Sequence, residues 1–333
     1  MDQGGLRLTL VWDGRRIVAA EVVSTRPRAA RILIGQPLAR ALELVPRLFS
    51  LCGQAQGVAA RLASAAARGE ALDAESLLDA GRQVALEAIG EHLWRLLLDW
   101  PPLLGLPQRK DAFLAWRRRL LAVKDRTGAA LLGGELARWL GAEAQLRIEP
   151  VEHYAVLAPG ALLPALAAAT WARQGIDDMF SGQPSCAGAP AETGVLARRF
   201  AAAEVARHLA TGKMIAARLA ARYADLHFLA GALIDPRQLA GWLDAAPVAD
   251  GVGLACVETA RGLLLHLIQV NDGRVGRYVI VAPTEWNFHP QGAFVREITG
   301  CAAASRAEAE QAARRLALAL DPCVAYEVII NDA

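Results

Sequence analysis

Lysine is almost absent from this chain: of 36 basic residues only Lys110, Lys124 and Lys213 are lysine. That bias is compositional and carries no mechanism. Charge of one sign is lacking too. The 36 basic residues nearly cancel 34 acidic ones and leave a net charge of +2, so neither nucleic acid nor an acidic membrane surface has an electrostatic claim on the protein. Hydrophobic content is 54%, much of it alanine, but no apolar run reaches the roughly 18 residues that a membrane span needs. Met1-Asp2-Gln3-Gly4-Gly5 lacks the basic and apolar regions of a secretion signal. The five cysteines, Cys52, Cys186, Cys256, Cys301 and Cys323, are odd in number, widely spaced and without a C-x-x-C. They exclude a disulfide framework and point to a reducing, cytoplasmic setting with no membrane insertion. At 333 residues two domains are allowed. No repeat, low-complexity tail or linker demands them, so the expectation is a single domain over 1–333.

What is present reads as mainly α with small β elements, an α+β chain with a β-hairpin near each end. Asp13-Gly14 lies between the β-rich runs Leu6 to Trp12 and Arg16 to Val23, and Asn271-Asp272-Gly273 turns an extended run Val257 to Val270 back into Val275 to Ala282. Apolar spacing predicts helices over 36–48, from Gly53 to about Ala67, over 75–100 with Pro101-Pro102 ending it, over 113–123 and from Pro164 to Arg173. Gly133-Gly134 and Pro150 bracket an expected connection, Ser181 to Ala191 is an expected loop, and a long helix is expected from Glu192 to Leu229, tolerating Gly212. His208 and His227 have no HxxxH or HxxE partner, so no metal site is expected there.

Two thiols stand out by position. Cys323 follows Asp321-Pro322 at the end of a helix opened by a Ser305/Glu308 capping box. Proline fixes the backbone where the thiol is presented. Cys52 stands just before the N-terminus of the alanine-rich helix, where the macrodipole is expected to lower its pKa. Each also has a bland reading as a small packed hydrophobe; Cys256 and Cys301 are assigned to packing, and Cys186, in the 181–191 loop, is read as incidental.

Taken in order, five segments resemble the large subunit of NiFe hydrogenases. Arg47-Leu48-Phe49-Ser50-Leu51-Cys52-Gly53-Gln54-Ala55-Gln56 is similar to that family's R-x-C-G-x-C-x-x-x-H, and Asp321-Pro322-Cys323-Val324-Ala325-Tyr326-Glu327-Val328-Ile329 to its D-P-C-x-x-C-x-x-H. Glu192-Thr193-Gly194-Val195-Leu196-Ala197-Arg198 looks like E-x-G-P-L-A-R, Glu258-Thr259-Ala260-Arg261-Gly262 like E-A-P-R-G, and Pro283-Thr284-Glu285-Trp286-Asn287 like P-T-T-W-N. The resemblance implies a shortened large-subunit fold. It also locates the departures: Phe49 and Tyr326 stand where two of the four metal-holding cysteines belong, and Gln56 and Ile329 replace the histidines. Gln3 stands where a proton-passing Glu belongs and cannot titrate. Only Ile330 to Ala333 follow the last motif, so no cleavable C-terminal extension is expected.

Hydrogen chemistry should therefore be absent, and the chain is expected not to be an enzyme. The pattern is similar to the HupK/HoxV proteins, hydrogenase assembly factors. By that resemblance Cys52 and Cys323 would be thiolate ligands of a transient Fe(CN)2CO group without nickel. Arg261 would donate to its cyanides and Asp321 would orient the site. The implied partners are a HypC-like chaperone, a HypD-like iron scaffold and the hydrogenase large-subunit precursor. Two alternatives stay open: a metal-free docking module of the same fold, and a redox enzyme using either thiol, which lacks a resolving C-x-x-C and a nearby histidine base.

Overall fold

The computed structural model describes residues 4–70, 73–143 and 161–333. Gln3 and Pro150, both singled out above, lie outside them. Strands β1 (Leu6–Trp12) and β2 (Ile17–Ser24) form the antiparallel hairpin expected around Asp13-Gly14. Asp13 Oδ1 accepts from the N–H groups of Arg15 and Arg16, both at 2.9 Å, and the two-residue alternation of a strand buries Leu6, Leu8 and Leu10 on one face.

Helices α1 (Leu38–Leu48), α2 (Gly53–Ala67) and α3 (Ala74–Trp94) follow, and α3 continues through a π-helical turn, Arg95–Asp99, into α4 (Trp100–Leu103). After α5 (Lys110–Ala122) comes α6 (Arg126–Ala142), which corrects the reading of Gly133-Gly134 as a connection. A Cβ on Gly133 would lie 2.4 Å from the Ala230 carbonyl, so this glycine allows two helices to touch and does not break one.

Strand β3 (Ala161–Leu162) pairs in parallel with β4 (Ala191–Glu192), and short helices α7 (Ala168–Ala172) and α8 (Asp178–Gly182) lie between them. The long helix expected from Glu192 to Leu229 is in fact broken into α9 (Val195–Arg199), α10 (Ala203–Ala210) and α11 (Met214–Ile234). Gly212, at φ +70°, lies between the last two. Its left-handed backbone is the conformation that terminates helices.

The extended run Val257–Val270 is likewise two strands. Strands β5 (Leu243–Ala249), β6 (Val252–Thr259), β7 (Gly262–Asn271) and β8 (Arg274–Val281) form one antiparallel sheet in that order, with Ala260-Arg261 at the β6–β7 turn. The second expected hairpin is thus half of a four-stranded sheet, and α2 packs across it.

The chain closes with α12 (Pro283–Asn287), α13 (Ala293–Ile298), α14 (Arg306–Leu320) and β9 (Tyr326–Asp332). Strand β9 runs parallel to β1, with Leu6 opposite Tyr326 and Trp12 opposite Asp332, giving the order β2-β1-β9. The first strand therefore holds the last. A large core runs through α1 to α6, α11 and α14, and a smaller one gathers Trp171 and Trp286 on the four-stranded sheet. Among the described residues no helix is long and apolar enough to cross a membrane.

Candidate metal centre

The terminal helix builds one half of the site. Ser305 Oγ accepts from the Glu308 N–H at 3.2 Å while Glu308 Oε2 accepts from Ala304 N at 2.8 Å, one residue short of the usual capping-box return. At its other end Asp321 takes φ +56°, a left-handed conformation that costs an L-residue roughly 1–2 kcal/mol and that Asp tolerates better than most. The carboxylate accounts for its persistence. Asp321 Oδ1 accepts from Arg95 Nε at 2.7 Å, Oδ2 accepts from Arg222 Nη1 at 2.9 Å, and Arg261 Nε lies 3.3 Å from Oδ1. Burial alone would raise its pKa, but Arg261, Arg95 and Arg222 outweigh that and hold it well below the carboxylate range.

Two further carboxylates share the arginines: Glu91 accepts from Arg261 Nη2 at 2.6 Å, and Asp99 from Arg95 Nη1 at 2.5 Å. Three guanidinium groups thus meet three carboxylates, and the cluster is neutral. His92 extends it. Its Nδ1 can only accept from Arg222, at 3.0 Å, so Nε2 carries the proton and donates to Asp225 Oδ2, also at 3.0 Å. Burial lowers the His92 pKa to about 4.

Backbone contacts bring the remaining motif segments to the same place. Asn287 Oδ1 accepts from Thr193 N at 2.9 Å, and its Nδ2 donates to the carbonyls of Arg261 and Leu320 at 3.4 and 3.3 Å. A Cβ on Gly194, at φ +107°, would stand 2.7 Å from the Arg261 carbonyl, which explains the glycine there. Cys323 follows Pro322 and faces Thr284, whose Oγ1 accepts from Cys323 N and lies against Sγ, both at 3.1 Å.

Cys52 ends a single 3₁₀ turn and precedes α2. The expectation of a lowered pKa is corrected. Burial pushes this thiol up to about 12, the neighbouring Cys323 adds to the rise, and Arg261 opposes it. The helix N-terminus is already engaged: Glu87, on α3, accepts from Gln54 N at 2.7 Å and Ala55 N at 3.1 Å. Burial raises Glu87 itself to about 7 despite those two bonds.

Cys52, Arg261 and the Asp321–Cys323 pair, drawn from three separate stretches, therefore share one neighbourhood. The thiols lie within electrostatic reach of each other and of Arg261 and Arg26. A cavity of about 380 Å³ opens onto Cys323 and Arg261 beside Leu51, Glu91 and Trp94; Cys52 is not in its lining. Phe49 and Tyr326, which the motif resemblance sets where two thiols would be expected, pack against the main core. All five cysteines are free, and among the described residues no group of three or more His, Cys, Asp or Glu side chains is placed to hold a metal. Sequence reasoning missed Arg95, Arg222 and Glu87, and it quoted Thr284 within a motif without giving it a role. Arg222 did leave a signal, since Arg218, Arg222 and Asp225 recur at helical spacing on the largely apolar α11.

The nickel-dependent hydrogenase family profile matches residues 184–328, which include every motif except that of Cys52, the terminal one up to its last residue. Over nearly its whole length the chain is similar to hydrogenase expression/formation proteins. It is 33% identical to HupK of Rhizobium leguminosarum bv. viciae, across 94% of this chain and 92% of that protein. It is 35% identical to HupK of Azotobacter vinelandii, across 96% and 95%. The chain belongs to the HupK/HoxV family. Its HoxV relative from Cupriavidus necator is 33% identical across 92% of both chains. The fold of this family member is that of a hydrogenase large subunit: the NiFeSe hydrogenase of Dm. baculatum superposes with a TM-score of 0.60 at 14% identity, over 94% of both chains.

Proposed function

We propose that this protein serves hydrogenase assembly as a non-catalytic scaffold in the cytoplasm, holding an Fe(CN)2CO group as cargo between Cys52 and Cys323 before it reaches a NiFe hydrogenase. The observation that carries this reading is the convergence of two thiols from opposite ends of the chain on one guanidinium, Arg261, that is buried and not fully satisfied. Arg261 Nε has no hydrogen-bond acceptor, since Asp321 Oδ1 at 3.3 Å is out of line. Thiolates are soft donors suited to low-valent iron. A buried guanidinium with donor capacity left suits an anionic cyanide, which it would meet by a charge-assisted hydrogen bond. The two available sulfurs support an iron fragment that brings its own carbonyl and cyanide ligands, and do not support the four-thiolate nickel position.

In this reading Asp321 orients Arg261, Thr284 positions Cys323, and the cavity beside Trp94 is where a HypC-like chaperone or HypD-like iron scaffold would deliver the group. The large-subunit precursor would be the acceptor. A second reading, a metal-free docking module of the same fold, is favoured by one observation: burial holds the Cys52 thiol near pKa 12, against thiolate formation at neutral pH without a metal.

Infrared spectroscopy separates the two. Protein purified from a host with the maturation machinery should show cyanide and carbonyl stretching bands, and Cys52→Ala or Cys323→Ala should lose them. Band-free preparations on which hydrogenase maturation still depends would establish the docking module instead.

A further inference from the structure

A line of buried polar side chains leads from Cys52 into the four-stranded sheet. Gln56 Nε2 donates to Cys52 Sγ at 3.6 Å, Gln56 Oε1 meets His266 Nε2 at 2.8 Å, and His266 Nδ1 meets the Tyr278 hydroxyl at 2.9 Å. Gln56, His266 and Tyr278 are all buried, so water does not complete their hydrogen bonding and each must be satisfied by its neighbours.

The directions along this line are linked. An amide oxygen only accepts, so His266 Nε2 carries the proton; the neutral ring then leaves Nδ1 as acceptor, and Tyr278 must donate. Reversing every bond would also be consistent, but the amide oxygen would then face Cys52 and need a proton on sulfur. A metal-bound sulfur has none to give. Only the donating direction satisfies all four side chains once Cys52 is a ligand.

We infer that Gln56, oriented by His266 and Tyr278, is the hydrogen-bond donor to the metal-bound sulfur of Cys52, a positioning residue that withdraws electron density from the thiolate. This rests on the scaffold reading above. Such outer hydrogen bonds fix a ligand's orientation and tune its donation to the metal.

The test uses the full chain, loaded with its cargo for infrared spectroscopy, and metal-free with cobalt(II) alone as an absorption probe. Gln56→Leu removes the donor. The carbonyl and cyanide bands should move together to lower wavenumber as the sulfur donates more, and the sulfur-to-cobalt charge-transfer band should move to longer wavelength. Tyr278→Phe keeps the ring and releases only the last bond, so it should shift both in the same direction by less. Should Gln56→Leu fail to fold, as judged by circular dichroism, Tyr278→Phe decides alone. Bands present in the wild type but unmoved in folded variants overturn the role of Gln56 and leave the scaffold standing. A wild type with neither infrared bands nor a cobalt charge-transfer band overturns both.

Discussion

Asp321 and Cys323 are two residues apart, yet they belong to layers of different character. Around Asp321 every charge is matched: three arginines from the α3 extension, α11 and the β6–β7 turn meet three carboxylates, with His92 closing the network toward Asp225. Around Cys323 the layer is sparse. One hydroxyl faces the sulfur, a cavity opens beside it, and Phe49 and Tyr326 stand where the motif resemblance would set further thiolates. The difference teaches where the fold's strength lies. The ion cluster is densely paired while the thiol layer is open, and on the scaffold reading proposed above that openness is what would let a cargo be held and released. A second buried ion cluster, Arg218 bidentate to both Glu192 and Glu297 at 2.6 to 2.8 Å, anchors the Glu192 motif in the same manner away from the thiols.

The comparison breaks or sharpens under substitution. Asp321→Asn keeps a side chain that tolerates the left-handed backbone but strips the arginines of their shared charge. It should cost about 3–5 kcal/mol in urea denaturation, as loss of one partner from a buried ion cluster does; a cost below that of the thiol substitutions would erase the distinction between layers. Phe49→Cys combined with Tyr326→Cys should restore the four-thiolate set. These half-buried rings should cost on the order of 2 kcal/mol, less than a fully buried Phe→Ala, and the variant should retain one nickel or zinc ion per chain through desalting where the wild type retains none.

The support should also be acid-sensitive through His92. Its folded pKa is depressed to about 4, below the unfolded value, so its contribution is fully present above the unfolded pKa and is lost as pH falls toward 4. Each pH unit in that window removes at most about 1.4 kcal/mol per group. The stability gap between wild type and His92→Gln should therefore narrow from pH 7 to pH 5. A gap that widens would show that His92 is not held neutral. The smallest expected effect on stability is that of Cys323→Ala, within about 1 kcal/mol for a half-buried small side chain, although the same change should abolish retention of the iron group.

Much of the fold could be read from the chain. Asp13-Gly14 and Asp272-Gly273 each set a hairpin because turn chemistry is local, and α2 and α3 followed from apolar periodicity. The failures have physical causes. Gly133 looked like a break because a close approach between helices and a turn both call for glycine. The 192–229 stretch looked like one helix because alanine is helix-favouring on either side of Gly212, whose left-handed backbone separates α10 from α11. Strand β9 escaped notice because seven residues at a terminus carry little pattern, and its partner lies at the other end of the chain.

The candidate site divides along the same line. The resemblance of ordered motifs singled out Cys52, Cys323, Arg261 and Asp321, because each lies in a short local segment that can be matched without knowing the fold. The sequence also determined what is missing, because no fold can turn Phe49 or Tyr326 into a thiolate. What only the tertiary structure decided was the environment. The helix dipole argued for a lowered Cys52 pKa, but burial and the Glu87 carboxylate at the helix N-terminus reversed it. Arg95 and Arg222, unremarkable in sequence, and Thr284, quoted only as part of a motif, became the partners that hold Asp321 and Cys323. Charge pairing and desolvation depend on which distant segments share a few cubic ångströms, and that is a property of the folded chain.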